Sequence, residues 1–485
     1  MNTVLKKIEF GDFQTPDELA QAVCAKLVSL GISPDVVLEP TCGRGAFVRA
    51  AAQAFPAARA IHGFEINPAY LAHCPVPSER IHLSQADFFT THWPKILREL
   101  SGSVLVLGNF PWVTNTAQSV IGGKNLPEKS NFQQHNGFEA ISGKANFDIS
   151  EWMLLTVLQW FAGRVGDIAM LVKTSVARKV LAHAERQKLA VRRAAVFSID
   201  AKKHFNAAVD ACLLVIRLSD RAAEAVYDYT VYPDLSATTG RQVGCRQGMT
   251  VGDLAAFESS VFLLGASPQK WRSGVKHDAA AIMELTRTAH GGLVNGLGET
   301  LELETDYLFP LLKGSDIGGD KLWREKFVLI TQHFVGEHTE RIRTSAPKTW
   351  AYLQAHAATL QRRGSSIYQR NPPFSIFGVG DYAFRPWRIA ICSLYKTLHF
   401  RLVGPIEGKP VMFDDTVYYL SFDSEQEAKT VLTSLNSEAV TRLLSALIFW
   451  DDKRPIKTSI LNVVNWAQQV TPLAAAQLEL DVSWP

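Results

Sequence analysis

Six cysteines are scattered through 485 residues, and no two form a CxxC pair. That argues against a zinc site or a disulfide framework and fits a reducing cytoplasm. No apolar run is long enough to span a bilayer, so no membrane partner is expected. The opening MNTVLKKIEFGDF lacks the apolar stretch of a secretion signal. There is no GxxxxGK[ST] loop to cradle a triphosphate. Internal repeats and low-complexity tracts are missing as well. Net charge is only +3, which alone says little about nucleic acid.

What is present is a chain that is 47% hydrophobic and 20% charged, long enough for two or three domains with ample core. Its charge is unevenly spread. Between Lys173 and Lys203 there are nine Lys/Arg against Glu185 and Asp200; between Arg341 and Arg401 there are ten against Asp381 alone. Either run alone reads as a solvated face. Together they suit a phosphate-binding cleft.

Short apolar runs at Val36–Leu38, Ile61–Glu65, Ile81–Leu83, Val104–Leu107, Asp167–Val172, Ala195–Ile199 and Ala211–Leu218 alternate with helical patterns at 16–30, 45–55, 151–161 and 176–190. Such alternation predicts an α/β fold with a mostly parallel, seven-stranded sheet covered on both faces. Residues 113–150 break the rhythm with a long polar stretch that reads as a lid or binding loop. After Leu218 the alternation stops, which places a domain boundary near 220 and leaves 221–485 as a mixed α+β domain.

Ligands of such sheets sit at the carboxyl ends of the strands. The first strand runs into VLEPTCGRGAF (37–47), where Gly43 and Gly45 allow close backbone approach and Glu39 supplies an acceptor. The second ends GFEIN (63–67), placing Glu65 where a carboxylate meets two ribose hydroxyls. The third ends SQADFF (84–89). Taken alone, Asp87-Phe88 reads as a helix cap and a core aromatic before it reads as a binding pair. In order along successive strand ends, these features describe a nucleoside pocket without phosphate chemistry, which suggests S-adenosylmethionine.

This array resembles the class I methyltransferase fold, with its Rossmann-like sheet, and within it the N6-adenine DNA methyltransferases of the γ group. The order of motifs is similar: Phe13-Gln14-Thr15-Pro16, then Glu39–Phe47, Glu65, Asp87-Phe88, and Asn109-Phe110-Pro111-Trp112. The resemblance implies that Thr15 and Pro16 close over the cofactor. Glu39, Pro40 and the Cys42-Gly43-Arg44-Gly45 turn would hold its methionine part, Glu65 and Ile66 its ribose, and Asp87 with Phe88 its adenine. It implies a catalytic domain at 1–220 and a DNA target-recognition domain at 221–485. PLLKGSDI (310–317) and LNSEAVTRLLSALIFWDDKRPI (435–456) resemble the recognition regions more loosely.

Asn109–Trp112 matches three of four positions of the family pattern [DNS]PP[YFW], with Phe110 where proline is usual. The residue types make chemical sense. The amine of adenine is a poor nucleophile because its lone pair is delocalised into the ring. Two acceptors aimed at its N–H groups, the Asn109 oxygen and the Phe110 carbonyl, would free that lone pair. Pro111 stiffens the turn, and Trp112 offers a face to an extruded base. By position Phe205 would meet the same base; a core role fits it equally well. Neither metal nor covalent intermediate is needed.

Asn371-Pro372-Pro373-Phe374 fits the pattern better letter for letter, but no buried strand precedes it. It reads as a rigid turn carrying Arg370 and Phe374 towards DNA. Arg385 and Arg388 sit among aromatics and suit base edges, phosphates or plain packing. No nuclease motif is visible, so a partner restriction endonuclease is inferred from family habit only. RNA adenine or protein glutamine methylation, or a DNA-specificity role with a weak catalytic site, remain open alternatives.

Overall fold

Seven apolar strands with helices between them must bury both faces of a sheet, and the chain does so in a defined order. The structure, a computed structural model, describes residues 14–74, 78–112 and 148–469. Two compact units divide it, Met1–Leu254 and Ala255–Pro485. Nearly all of the long polar stretch after Trp112 lies outside the described residues, as does Phe13. Among the described residues no helix is long and apolar enough to cross a membrane.

The first unit runs α1 (Asp17–Ser29), β1 (Val36–Glu39), α2 (Ala46–Ala54), β2 (Ala60–Glu65), α3 (Pro68–Ala72), β3 (Ile81–Gln85), α4 (Trp93–Glu99) and β4 (Val104–Asn109). It continues with α5 (Ile149–Trp160), β5 (Gly166–Lys173), α6 (Thr174–Arg186), β6 (Val191–Ile199), α7 (Ala201–Phe205) and β7 (Ala211–Leu218). Strands lie in the order β3-β2-β1-β4-β5-β7-β6. All pairs from β3 to β5 are parallel, while β7 is antiparallel to both neighbours. This is the mostly parallel seven-stranded sheet that the alternation predicts.

The chain does not leave the sheet at 220. Three more strands, β8 (Tyr229–Tyr232), β9 (Arg241–Arg246) and β10 (Met249–Val251), follow in turn beyond β6 and make ten among the described residues.

Strand order reverses between β1 and β4, which opens a crevice at their carboxyl ends. The core there is tight. Leu38, Leu105, Val106 and Leu107 are fully buried, each adding roughly 1.5–3 kcal/mol. Register follows from that burial: Val36 pairs with Val104 and Leu38 with Val106. So Glu39 ends β1 level with Leu107, and Asn109 ends β4 two residues further on, beside Thr41. Helix α1 starts where Pro16 supplies an extended N-cap and Asp17 and Glu18 favour the first turn. It packs its Leu19, Val23 and Leu27 face into the same core as the alanine-rich α2.

The second unit is mixed α+β. One sheet has the order β14-β13-β12-β16-β15-β19, from Thr300–Leu301, Leu293–Asn295, Glu284–Arg287, Lys326–Leu329, Leu308–Leu312 and Met412–Phe413. The other has the order β11-β20-β17-β18, from Arg272–Ser273, Val417–Phe422, Trp387–Cys392 and Arg401–Val403. Two helices close it, Glu425–Leu435 and Glu438–Leu447, capped by the Ser424 and Ser437 side chains.

Candidate active site

Beyond β1 the backbone turns sharply on two glycines of positive φ. Gly43 has φ +53° and Gly45 φ +79°. A Cβ on Gly45 would lie 1.9 Å from Cys74 Sγ, and one on Gly43 2.7 Å from Gln14 Oε1. The second distance shows how the segment before α1 is held: Gln14 covers the turn, accepting from Arg44 N at 3.1 Å. Cys42 is buried, and its backbone N–H donates to Phe64 O at 2.7 Å. Pro40 is buried beside it.

Two carboxylates stand behind this turn. Glu65 ends β2; its Oε2 accepts from Gly43 N and its Oε1 from Asn67 N, both at 2.9 Å. Glu39 ends β1 and is 3% exposed, and its Oε2 has no hydrogen-bond partner among the described residues. Burial first, then the neighbouring Glu65, hold the Glu39 carboxyl well above the ordinary glutamate range. A buried acceptor of this kind beside a glycine cradle fits a cationic, hydrogen-bonding ligand.

Asn109 joins the same group. Its Nδ2 donates to Thr15 Oγ1 at 3.3 Å, and its backbone carbonyl accepts from Thr41 Oγ1 at 3.4 Å. Hydrogen bonds thus tie Thr15 and Thr41 to Asn109 and Gly43 to Glu65, across up to 94 positions of sequence, at the strand ends where Glu39 also lies. Pro16, next to Thr15, is the N-cap of α1.

The aromatic residues are packed more deeply than the sequence reading has them. Phe110 and Phe88 are buried and meet edge to face at 5.6 Å. Phe88 also packs on Trp93 and Trp160. Both side chains are buried among other aromatics. Asp87 is half-buried, and its Oδ1 accepts from Phe89 N at 2.9 Å, the local cap that its spacing allows. Ile66 offers its carbonyl to Gln85 Nε2 at 3.2 Å. Trp112 is buried and donates from Nε1 to Leu171 O at 3.3 Å. Phe205, partly exposed, meets it edge to face at 5.0 Å. The two aromatics assigned to one base thus come together, and half-buried Pro111 sits between Phe110 and Trp112.

In the second unit the assigned residues separate. Arg370 and Arg385 are exposed, Arg385 lying 3.7 Å from Asp423. Arg388 is 1% exposed and donates to the carbonyls of Val411, Tyr382 and Ala383. Burial brings its guanidinium down to about 10. All three of its nitrogens hold backbone carbonyls of the fold, which corrects the expectation that it reaches a base or phosphate. Phe374 is corrected likewise: it is buried in the core, with φ +63°.

Sequence reasoning passed over two participants. Gln14 stands inside the quoted FQTP segment, yet its amide covers the glycine turn. Asn67, in GFEIN, fixes Glu65 through its backbone.

Comparison with known proteins adds to this geometry. The chain is 46% identical over 468 residues to the type II methyltransferase M.NspV of Nostoc sp. (strain ATCC 29411 / PCC 7524), covering 95% of this chain and 97% of that one. Among solved structures, the type IIL restriction-modification enzyme MmeI in complex with DNA matches 99% of this chain and 69% of its own, at 12% identity and TM-score 0.51. That is a likeness of fold. A putative class I S-adenosylmethionine-dependent methyltransferase from Listeria monocytogenes covers 46% of this chain at 13% identity, with 67% of its own chain matched and TM-score 0.32. No protein-family model matches.

Proposed function

The chain belongs to the type II methyltransferases, and from that premise we propose that it methylates N6 of an adenine turned out of duplex DNA. S-adenosylmethionine would be the donor, and the protein the modification half of a restriction-modification system. One observation carries this reading: the carboxyl ends of β1, β2 and β4 bring Glu39, Glu65 and Asn109 to one crevice, with Thr15 bonded across it to Asn109.

The residues present suit the donor. Glu39, with its buried oxygen, would take the ammonium of the methionine part, and the Gly43–Gly45 turn gives that part room. Glu65 would exchange its backbone partners for ribose hydroxyls. When bound, the donor supplies an electrophilic methyl group on sulfur.

The chain's own work is to prepare the amine. With Nδ2 donating to Thr15, the Oδ1 end of Asn109 is the acceptor for one N–H of adenine, and the Phe110 carbonyl for the other. Positive charge developing on that nitrogen is then met by two oxygens held rigidly, at no reorganisation cost. Trp112 and Phe205, opened from their present edge contact, would flank the base. Phe110 in place of proline leaves this scheme intact, because the working group is a carbonyl that any residue has. Its ring is locked into the core beside Phe88, which restores the stiffness that proline would provide.

The reading is tested by expressing the protein in cells that lack adenine methylation and sequencing their DNA for modified bases. N6-methyladenine confined to one sequence context is expected. Tritiated methyl transfer to DNA, RNA and protein in parallel provides the contrary case: label in RNA or protein alone would overturn the substrate.

A further inference from the structure

The second unit holds the loop Thr331–Thr339 by both feet. The Thr331 and Thr339 side chains are fully buried, donating to the Phe374 and Pro373 carbonyls at 2.8 and 2.7 Å. Within the loop, the buried Gln332 amide accepts from Ile376 N at 3.0 Å and donates to Glu337 O. The Glu337 carboxylate accepts from His333 N at 2.6 Å and pairs with Arg341 at 2.9 Å. Gly336, at φ +90°, turns the chain back. The Asn371–Phe374 turn, which has no place in the site above, is thus the footing of a braced loop.

At the tip of this loop stand Phe334 and Val335, 59% and 44% exposed. Two apolar side chains held out in water on a stiff support are unfavourable unless something covers them. The surrounding charge indicates what. From Arg341 to Arg370 there are six Lys/Arg and no Asp or Glu. Arg363 is buried on backbone carbonyls, and the other five are exposed. This run begins at the loop's outgoing foot and returns to its base at Arg370-Asn371. Two of the five are paired, Arg341 with Glu337 and Lys348 with Glu302, which leaves Arg343, Arg362 and Arg370 as exposed cations with no ion pair among the described residues. An apolar tip that runs on into exposed arginines suits a polyanion with an apolar interior, which describes stacked nucleic acid. An apolar groove on a protein would have no need of the cations.

We propose that Phe334 and Val335 form a wedge that enters the base stack of bound duplex DNA and lowers the work of extruding the target. The proposal rests on the DNA reading above. The brace keeps the wedge from folding back onto the protein, and the cationic run holds the phosphates on either side.

The test uses the full chain and two duplexes carrying the context that modified-base sequencing reports, one fully paired and one with the target adenine mismatched. In Phe334→Ala/Val335→Ala, methyl transfer to the paired duplex should fall by about tenfold or more, because unstacking is no longer assisted. The mismatched duplex, already loosened, should restore most of the rate. Phe334→Leu, which keeps an apolar wedge, should stay near the parent. Equal loss on both duplexes, or none on either, would overturn the wedge and leave the tip to a protein partner. If the parent itself labels neither duplex, the DNA reading fails and the wedge falls with it.

Discussion

The chain carries an Asn-x-Pro-aromatic sequence twice, at 109–112 and at 371–374, and the second copy is the better match to the family letters. Set side by side, they differ in where their polar groups lie. Asn109 ends a strand buried among parallel neighbours, beside Glu39 and bonded to Thr15. Asn371 follows a single helical turn, and its amide donates to Ile367 O at 2.7 Å. The Pro372 carbonyl, which corresponds to the Phe110 carbonyl, already accepts from both the backbone N–H and the hydroxyl of Ser375. Four letters make a catalytic motif only where the backbone brings acceptors to a crevice; elsewhere they make a turn.

The sharpest way to break that contrast is to remove each asparagine in turn. Asn109→Ala should lower methyl transfer by on the order of 10²–10³-fold with DNA binding nearly unchanged, the usual effect of losing one preorganised acceptor. Asn371→Ala should leave the rate within a few-fold. Tritium transfer and gel-shift titration read the two properties separately, and matched losses in the two variants would refute the assignment.

A second contrast concerns stability. Phe374→Ala removes a buried ring from the core of the second unit, so its denaturation midpoint in urea should drop, by about 3–5 kcal/mol in free energy. A midpoint equal to the parent's would mean that the ring is solvent-facing after all.

The smallest effect is on pH dependence at the first copy. Because the folded protein raises the Glu39 pKa, it favours the neutral carboxyl. Stability from that preference is complete below the ordinary glutamate range and declines as pH rises through the folded value. Glu39→Gln stays neutral throughout. Its advantage in thermal melts over the parent should therefore widen from acid towards neutral pH, and parallel curves would contradict the buried charge.

Much of the first unit was legible in its letters. Continuous apolar runs such as Val104–Leu107 and Ala211–Leu218 have one stable place, inside a covered sheet, and both lie in strands. The glycine turn was legible because positive φ and close packing demand glycine. The rest leaves weaker marks. Strands β8–β10 are short, largely half-buried and without regular alternation, so they look like loop beyond the last periodic strand. Arg388 reads as a surface cation, since the three carbonyls that hold it are backbone and carry no letter. Trp112 and Phe205 were placed together only by resemblance; nothing in 92 intervening residues announces their contact.

Those three late strands also decide where the sheet comes to an end. With seven strands alone, the margin beside β7 would be β6, nine residues long with a buried apolar middle. Long open margins of that sort recruit other chains and aggregate. By pairing with its middle, β8 and the strands beyond it move this border out to the short Met249–Val251. A fragment trimmed at 220 would bare the middle of β6, Ala195 to Phe197, whereas one trimmed at 254 keeps it paired with β8.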